Sequence, residues 1–118
     1  FFNVAYINES GTKKIRIKCS ADSVNVIDKA IDLVTNTWYK LDLNWAATCE
    51  AFLNGSSIGT VSRGIGTTSY DLIVIGSYYS TSASDFIKGN ADEAVFFSAV
   101  RTAADIRRRY AFERGMLN

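Results

Sequence analysis

The chain has 118 residues, 47% of them hydrophobic and 13% aromatic, with a formal net charge of +1 and no histidine. That size suits one domain with a modest core, the apolar content excludes a disordered chain, and the near-neutral balance gives no global field for nucleic acid or an anionic membrane. Without histidine a Ser-His-Asp or Cys-His nucleophilic site cannot be built, two cysteines do not make a four-ligand zinc site, and no apolar run nears the roughly 20 residues that span a bilayer.

Residues 2–7 read as a strand, with Asn8-Glu9-Ser10-Gly11 as its turn. Residues 14–19 alternate: Ile15, Ile17 and Cys19 on one face, Arg16 and Lys18 on the other, which is the period of a half-buried strand. Residues 20–23 are turn-forming, and 24–27 return as the hairpin partner. The piece at 31–34 has no clear type. Residues 38–45 alternate again, with Tyr39, Leu41, Leu43 and Trp45 opposite Lys40, Asp42 and Asn44.

The next strand, 49–54, puts Cys49, Ala51 and Leu53 on one face and Glu50 and Phe52 on the other. A one-residue slip inverts every side chain, so the faces of a hairpin must match. A two-residue loop would set Leu43 against Glu50. A three-residue loop at 46–48 pairs Trp45 with Cys49, Leu43 with Ala51 and Leu41 with Leu53, and that register is expected.

Asn54-Gly55 signals a tight turn, because both residues tolerate positive φ. A strand at 58–61 leaves it. Residues 63–69 are a Gly/Thr/Ser loop, 72–75 an apolar run suited to a covered central strand, 77–85 a polar loop holding Tyr78 and Tyr79, and 91–97 a last strand. Thr102 with Asp105 three residues on reads as a capping box. Ala103, Ile106 and Tyr110 share one face of the helix that follows, Arg107, Arg108, Arg109 and Arg114 lie toward its C-terminal end, and Gly115 is a natural stop. About eight short strands and one late helix make an all-β, antiparallel sandwich with a short C-terminal helix.

The order Thr37-Trp38, Phe52-Leu53-Asn54-Gly55, Ile75-Gly76, then Phe86-Ile87-Lys88-Gly89-Asn90-Ala91-Asp92-Glu93 and an aromatic strand before a small helix, resembles the laminin G-like branch of the concanavalin A-like jelly rolls. The resemblance covers roughly residues 2–110 and is specific from Thr37 onward. Ala91 stands where the family has a large aliphatic residue, and Ile87 takes the aromatic place before Gly89. Phe1 enters the pattern partway, so the resemblance implies one laminin G-like domain over 1–118, a fragment or processed product of a larger chain. Its N-terminal strands would be missing or supplied by a partner, leaving an open edge.

Candidate sites follow. Glucanases of this fold carry spaced acids on one strand; here Asp92 and Glu93 are neighbours and point to opposite faces, with no third acid, so glycoside hydrolysis is not supported and no enzyme is expected. Tyr78, Tyr79 and Asp85 are the expected ligand-binding residues, aromatic faces for a sugar ring and a carboxylate for its hydroxyls, set against the plainer reading of tyrosines folded onto the rim. Related domains hold calcium through loop carboxylates, which makes Asp71, Asp85 and Asp92 weak metal candidates, although no dense acidic loop is present. No cofactor is expected beyond that calcium.

Lys40, Asp42, Asn44, Glu50 and Phe52 share a face that is either a ligand groove or simply solvated. Cys19 and Cys49 both fall on core positions, read as two separate thiols in preference to a disulfide. Asn8-Glu9-Ser10 and Asn54-Gly55-Ser56 are glycosylation sequons in turns.

Two functions remain. One is a non-catalytic carbohydrate-recognition or adhesion module of an extracellular or phage-borne protein, with a glycan or cell-surface polysaccharide as partner. The other is a structural display domain of a virion, tail or spike, with neighbouring chains covering its edge. Neither involves nucleic acid or membrane insertion, and the expected location is extracellular, at a cell surface or on a virion.

Overall fold

Two adjacent residues with positive φ, Ser10 at 53° and Gly11 at 85°, reverse the chain after its first strand. Asn54 at 50° and Gly55 at 80° do the same later. Both are two-residue turns whose twist matches the flanking strands. The computed structural model describes residues 3–18, 26–62, 78–79, 83–84, 90–92, 94–97 and 99–117. The chain forms two compact units, Phe1–Ile65 with Ala99–Asn118, and Gly66–Ser98.

In the first unit β1 (Asn3–Glu9), β2 (Thr12–Lys18) and β3 (Val26–Ala30) form one antiparallel sheet. β4 (Leu41–Asn44), β5 (Thr48–Leu53) and β6 (Ser56–Ser62) form another. Within each, neighbours in space are neighbours in sequence among the described strands. Leu43 lies opposite Ala51 and Leu41 opposite Leu53, the expected register. Ile17 lies opposite Ile27 in the first sheet.

The apolar faces meet in one core. Ile15, Ile17 and Ile27 come from the first sheet and Cys49, Ala51 and Leu53 from the second, with Ile31, Leu33, Tyr39, Leu43 and Trp45 around them. Period-two burial explains this, since each strand turns its aliphatic positions inward. The approach is close where β3 meets β6: a Cβ at Gly59 would come within 2.9 Å of Ile27 Cγ2. At that point β6 slips register, Ala51 facing Gly59 but Phe52 facing Ser57, which leaves Ile58 as the extra residue of a bulge. Cys49 is a free, buried thiol that donates to the Ala46 carbonyl at 3.7 Å. Cys19 lies outside the described residues.

Several elements differ from the sequence reading. β3 runs on to Ala30, past the 24–27 expected. The fourth strand is shorter than 38–45: residues 37–40 are coil, tied in by the Lys40 N–H donating to Asn54 Oδ1 at 2.9 Å and the Asn54 N–H donating to the Lys40 carbonyl at 2.8 Å. Residues 91–92 and 94–97, read as part of a last strand over 91–97, are not in a strand, and their side chains are exposed. Apolar content favours a strand, but only a ladder partner makes one.

The helix α1 (Ala103–Leu117) starts as expected, with the Asp105 N–H donating to Thr102 Oγ1 at 3.1 Å, but continues through Gly115. Arg107, Arg108 and Arg109 therefore sit in its first half rather than at its C-terminal end. In the second unit, β7 (Tyr78–Tyr79) pairs with β8 (Ala83–Ser84) as a small antiparallel hairpin. The apolar run 72–75 lies outside the described residues.

Candidate functional site

The face of the second sheet carrying Lys40, Asp42, Asn44, Glu50 and Phe52 is closed by α1. Asn44 Nδ2 donates to the Arg101 carbonyl at 2.7 Å, and the Arg101 N–H donates back to Asn44 Oδ1 at 3.1 Å. Just before the start of β4, Lys40 Nζ lies 2.6 Å from Asp42 Oδ1 and 3.7 Å from Glu113 Oε2. Arg109 holds Glu113 at 3.1 Å. Between these ties Ile106 is 2% exposed and Phe52 1%. The middle of the helix lies over the Asn54-Gly55 turn, where a Cβ on Gly55 would sit 3.3 Å from the Arg107 Cα and 3.2 Å from Tyr110 Cδ1. The expected groove is thus occupied by the chain's own helix. The Asn54 sequon is engaged as well, its side chain bonded to Lys40 and its turn beneath the helix. Asn8 is exposed.

The outer face of the first sheet carries an ionic cluster. Arg16 faces Asp28 directly across β2 and β3 and binds it with two parallel bonds, Nε and Nη2 each at 2.8 Å. Nη2 also donates to Glu9 Oε2 at 3.0 Å, and Nη1 to Glu9 Oε1 at 3.5 Å. Lys14 pairs with Glu9 and lies 3.4 Å from Asp28. Lys14 and then Arg16 hold the Glu9 carboxyl below its ordinary range, and Arg16 does the same for Asp28 against a small cost of burial. Both are ionised at neutral pH, so neither is poised to act as a general acid. An open depression of about 260 Å³ beside them is lined by Arg16, Lys18, Val26 and Asp28. With its guanidinium shared between two carboxylates, Arg16 contributes cross-strand stapling more than ligand charge.

A third group sits at the end of β1. Lys13 Nζ lies 3.1 Å from Asp32 Oδ1, and the Tyr6 hydroxyl accepts the Leu33 N–H at 3.0 Å. The Tyr39 hydroxyl accepts the Val34 N–H at 2.9 Å. These bonds hold the 31–40 connection against the sheets, which is why a polar-tipped aromatic recurs there.

Of the expected site residues, Tyr78 and Tyr79 form β7, in register with Ser84 and Ala83, instead of an irregular loop. Asp85 and Asp71 lie outside the described residues. Asp92 is exposed. Among the described residues no group of three or more His, Cys, Asp or Glu side chains is placed to hold a metal ion, and no helix is long and apolar enough to cross a membrane. Alternation alone misses the Arg16 cluster and the Asn44 clamp. The signal that finds the first is hairpin register, which sets Arg16 against Asp28; the second spans 57 residues and has no local signal.

No protein-family model matches the chain, and no curated protein matches it. Among solved structures it is similar to an S-layer domain-containing protein (residues 221–444) from Clostridium thermocellum ATCC 27405. The TM-score is 0.58 at 15% identity, with 92% of this chain covered. The chain spans 63% of the length of that structure, and at this identity the likeness is one of fold.

Proposed function

We propose that the chain is a non-catalytic structural module of a cell-surface protein, acting by packing and display. The observation that carries this reading is the docking of α1 over the second sheet, through Asn44–Arg101, Lys40–Glu113 and buried Ile106. A sandwich that binds ligand on a sheet face needs that face open; here the chain spends its own helix covering it. The paired, ionised carboxylates of the first sheet fit a load-bearing surface better than an acid–base site. The similar solved structure is titled an S-layer domain-containing protein, which supports a cell-surface setting. Immunogold labelling of intact source cells with antibody against the chain tests this: label at the outer surface is expected, and label confined to the interior overturns it.

A second reading keeps carbohydrate recognition by Tyr78, Tyr79 and Asp85. The pairing of Tyr78–Tyr79 with Ala83–Ser84 favours it, since a hairpin fixes the backbone that carries both tyrosines. The concanavalin A-like, laminin G-like jelly-roll topology and a virion-surface setting belong to this reading and rest on motif order. A glycan array with and without calcium separates the two: discrete sugars bound, and lost in Tyr78→Ala or Tyr79→Ala, support recognition, whereas silence from a folded sample supports the structural role.

A further inference from the structure

We propose that the chain pairs with a second copy of itself through β1, the two strands running antiparallel about a twofold axis at Tyr6 and joining two first sheets into one. The proposal deepens the structural reading above and rests on it.

β1 is an edge strand: among the described strands only β2 pairs with it. The Ser10-Gly11 turn has two residues, so its flanking pair, Glu9 and Thr12, is of the hydrogen-bonded kind. Counting back by two, Ile7, Ala5 and Asn3 also turn their backbone groups to β2. Asn8, Tyr6 and Val4 turn theirs to the open side. Exposed edges are commonly blunted by lysine, proline or a bulge. β1 carries neither lysine nor proline, and it keeps one register from Asn3–Lys18 to Glu9–Thr12.

Its side chains are left open as well. Val4 lies opposite Ile17 and Tyr6 opposite Ile15, on the core side of the sheet. Ile17 is 0% exposed and Ile15 5%, but Val4 is 37% exposed and Tyr6 45%. Cover on this side therefore ends between β2 and β1. A strand laid beyond β1 takes the free backbone groups and shields both side chains in one step.

A second β1 fits that place. Antiparallel pairing over the whole of Asn3–Glu9 sets Tyr6 against Tyr6, Val4 against Asn8, Ala5 against Ile7 and Asn3 against Glu9. Outward-facing backbone groups meet outward-facing ones throughout, and Val4 and Tyr6 stay on the core side. The only charged side chain of β1 is Glu9, so no like charges oppose each other along the new ladder. Glu9 of the second copy lands beside Asn3, whose neighbour on β2 is Lys18. Lys18 takes no part in the ion pairs that tie Lys14 and Arg16 to Glu9 and Asp28. Two strand spacings, about 10 Å, separate it from that carboxylate, a span that a lysine and a glutamate side chain close between them. Any extended peptide can pair with an edge backbone, but β1 also matches itself in face and charge, which commits the edge to a second copy.

Sedimentation velocity on the 118-residue chain tests this. A monomer–dimer equilibrium that shifts with concentration and stops at the dimer is expected, because a twofold contact closes on itself. Val4→Pro removes an outward N–H from each copy and leaves the bonds to β2 in place. It is expected to stay folded by circular dichroism and to dimerise at least about tenfold more weakly, since each copy loses a bond. Lys18→Glu sets carboxylate near carboxylate, and its dimer weakens further as salt is lowered. Tyr6→Cys, oxidised with glutathione disulfide, is expected to cross-link, since residues opposed at hydrogen-bonded positions have Cα atoms about 5.5 Å apart. Phe112→Cys, on the helix, is expected not to.

A chain monomeric at every concentration, a dimer indifferent to Val4→Pro, or a Tyr6→Cys chain that does not cross-link overturns the proposal. A monomer that instead binds an unrelated alternating Thr-Val peptide, with the binding lost in Val4→Pro, overturns it in favour of a strand donated by another protein. Surface labelling of intact cells is unaffected by any of these outcomes, so failure of this pairing and failure of the structural reading are told apart.

Discussion

Asn44 clamps the backbone of Arg101 with both ends of its amide, donating to the carbonyl at 2.7 Å and accepting the N–H at 3.1 Å. The two residues are 57 apart in sequence, and the clamp sets where the chain enters α1. Asn44→Ala removes both bonds without touching the core. At roughly 0.5–1.5 kcal/mol per hydrogen bond the loss is about 1–2 kcal/mol. Asn44→Asp keeps one acceptor but loses the donor, and is expected to fall between. Urea unfolding followed by circular dichroism measures both; equal stability in all three chains would show that the clamp does not hold the helix.

Gly59 and Ile27 mark a close approach of the two sheets. A Cβ on Gly59 would lie 2.9 Å from Ile27 Cγ2, and its φ of +152° disfavours any other residue. Gly59→Ala is expected to cost about 1–3 kcal/mol through overpacking and backbone strain. In an Ile27→Ala background the steric part disappears and only the strain remains. A double-mutant cycle therefore yields a favourable coupling for the pair. No coupling would mean that the strain alone carries the cost.

The ionic cluster of the first sheet predicts how stability follows pH. Glu9 and Asp28 are held below their ordinary values of 4.5 and 3.8 by Lys14 and Arg16. Their contribution is complete above those ordinary values, where both folded and unfolded chains are ionised, and is lost as pH falls through the lower folded values. Lys14 is raised above its ordinary 10.5 by Glu9, so its contribution is complete below that value and is lost only as pH rises beyond it. Between about pH 5 and 10 these pairs give a flat profile. Thermal melts from pH 7 to 2 are expected to show Tm falling below about pH 4.5, and Arg16→Met to flatten that limb. An unchanged limb would assign the acid loss to other carboxylates.

Alternation reads the core well, because Ile15 and Ile17 in β2 and the Leu43–Ala51 and Leu41–Leu53 pairs follow a strict period of two in which one slipped residue exposes everything. The cap at Thr102 is equally legible, being set by residues three apart. The helix's docking is not: its apolar side is little more than Ile106 and Tyr110 among arginines, and what seats it is a clamp from a distant strand. Phe52, on the polar side of β5 by alternation, is buried as well, against the pattern of its strand. The strand expected through Val95 and Phe96 fails because apolar content says nothing about a ladder partner. Of the candidate site, the hairpin register of Tyr78 and Tyr79 depends on pairing across 80–82, which no local pattern specifies.

Thr102 tests whether α1 is part of the cooperative unit or an appendage. Its hydroxyl accepts the Asp105 N–H at 3.1 Å. The same hydroxyl hydrogen-bonds the Asp105 carboxyl and, followed by Arg108, holds that carboxyl below its ordinary range. Thr102→Ala is expected to cost about 1 kcal/mol. Ile106→Ala, at a site 2% exposed, is expected to cost about 2–5 kcal/mol. If the helix unfolds with the sheets, both costs appear in the global transition, lowering Tm by roughly 4 °C or more per kcal/mol. If it is an appendage, hydrogen exchange in 103–117 speeds up while the Ile15 and Ile17 amides and the global Tm stay as they were. Because Ile106 is itself buried and Arg107 and Tyr110 sit against the Asn54-Gly55 turn, the first outcome is expected, and the second would leave that side of the second sheet free to open.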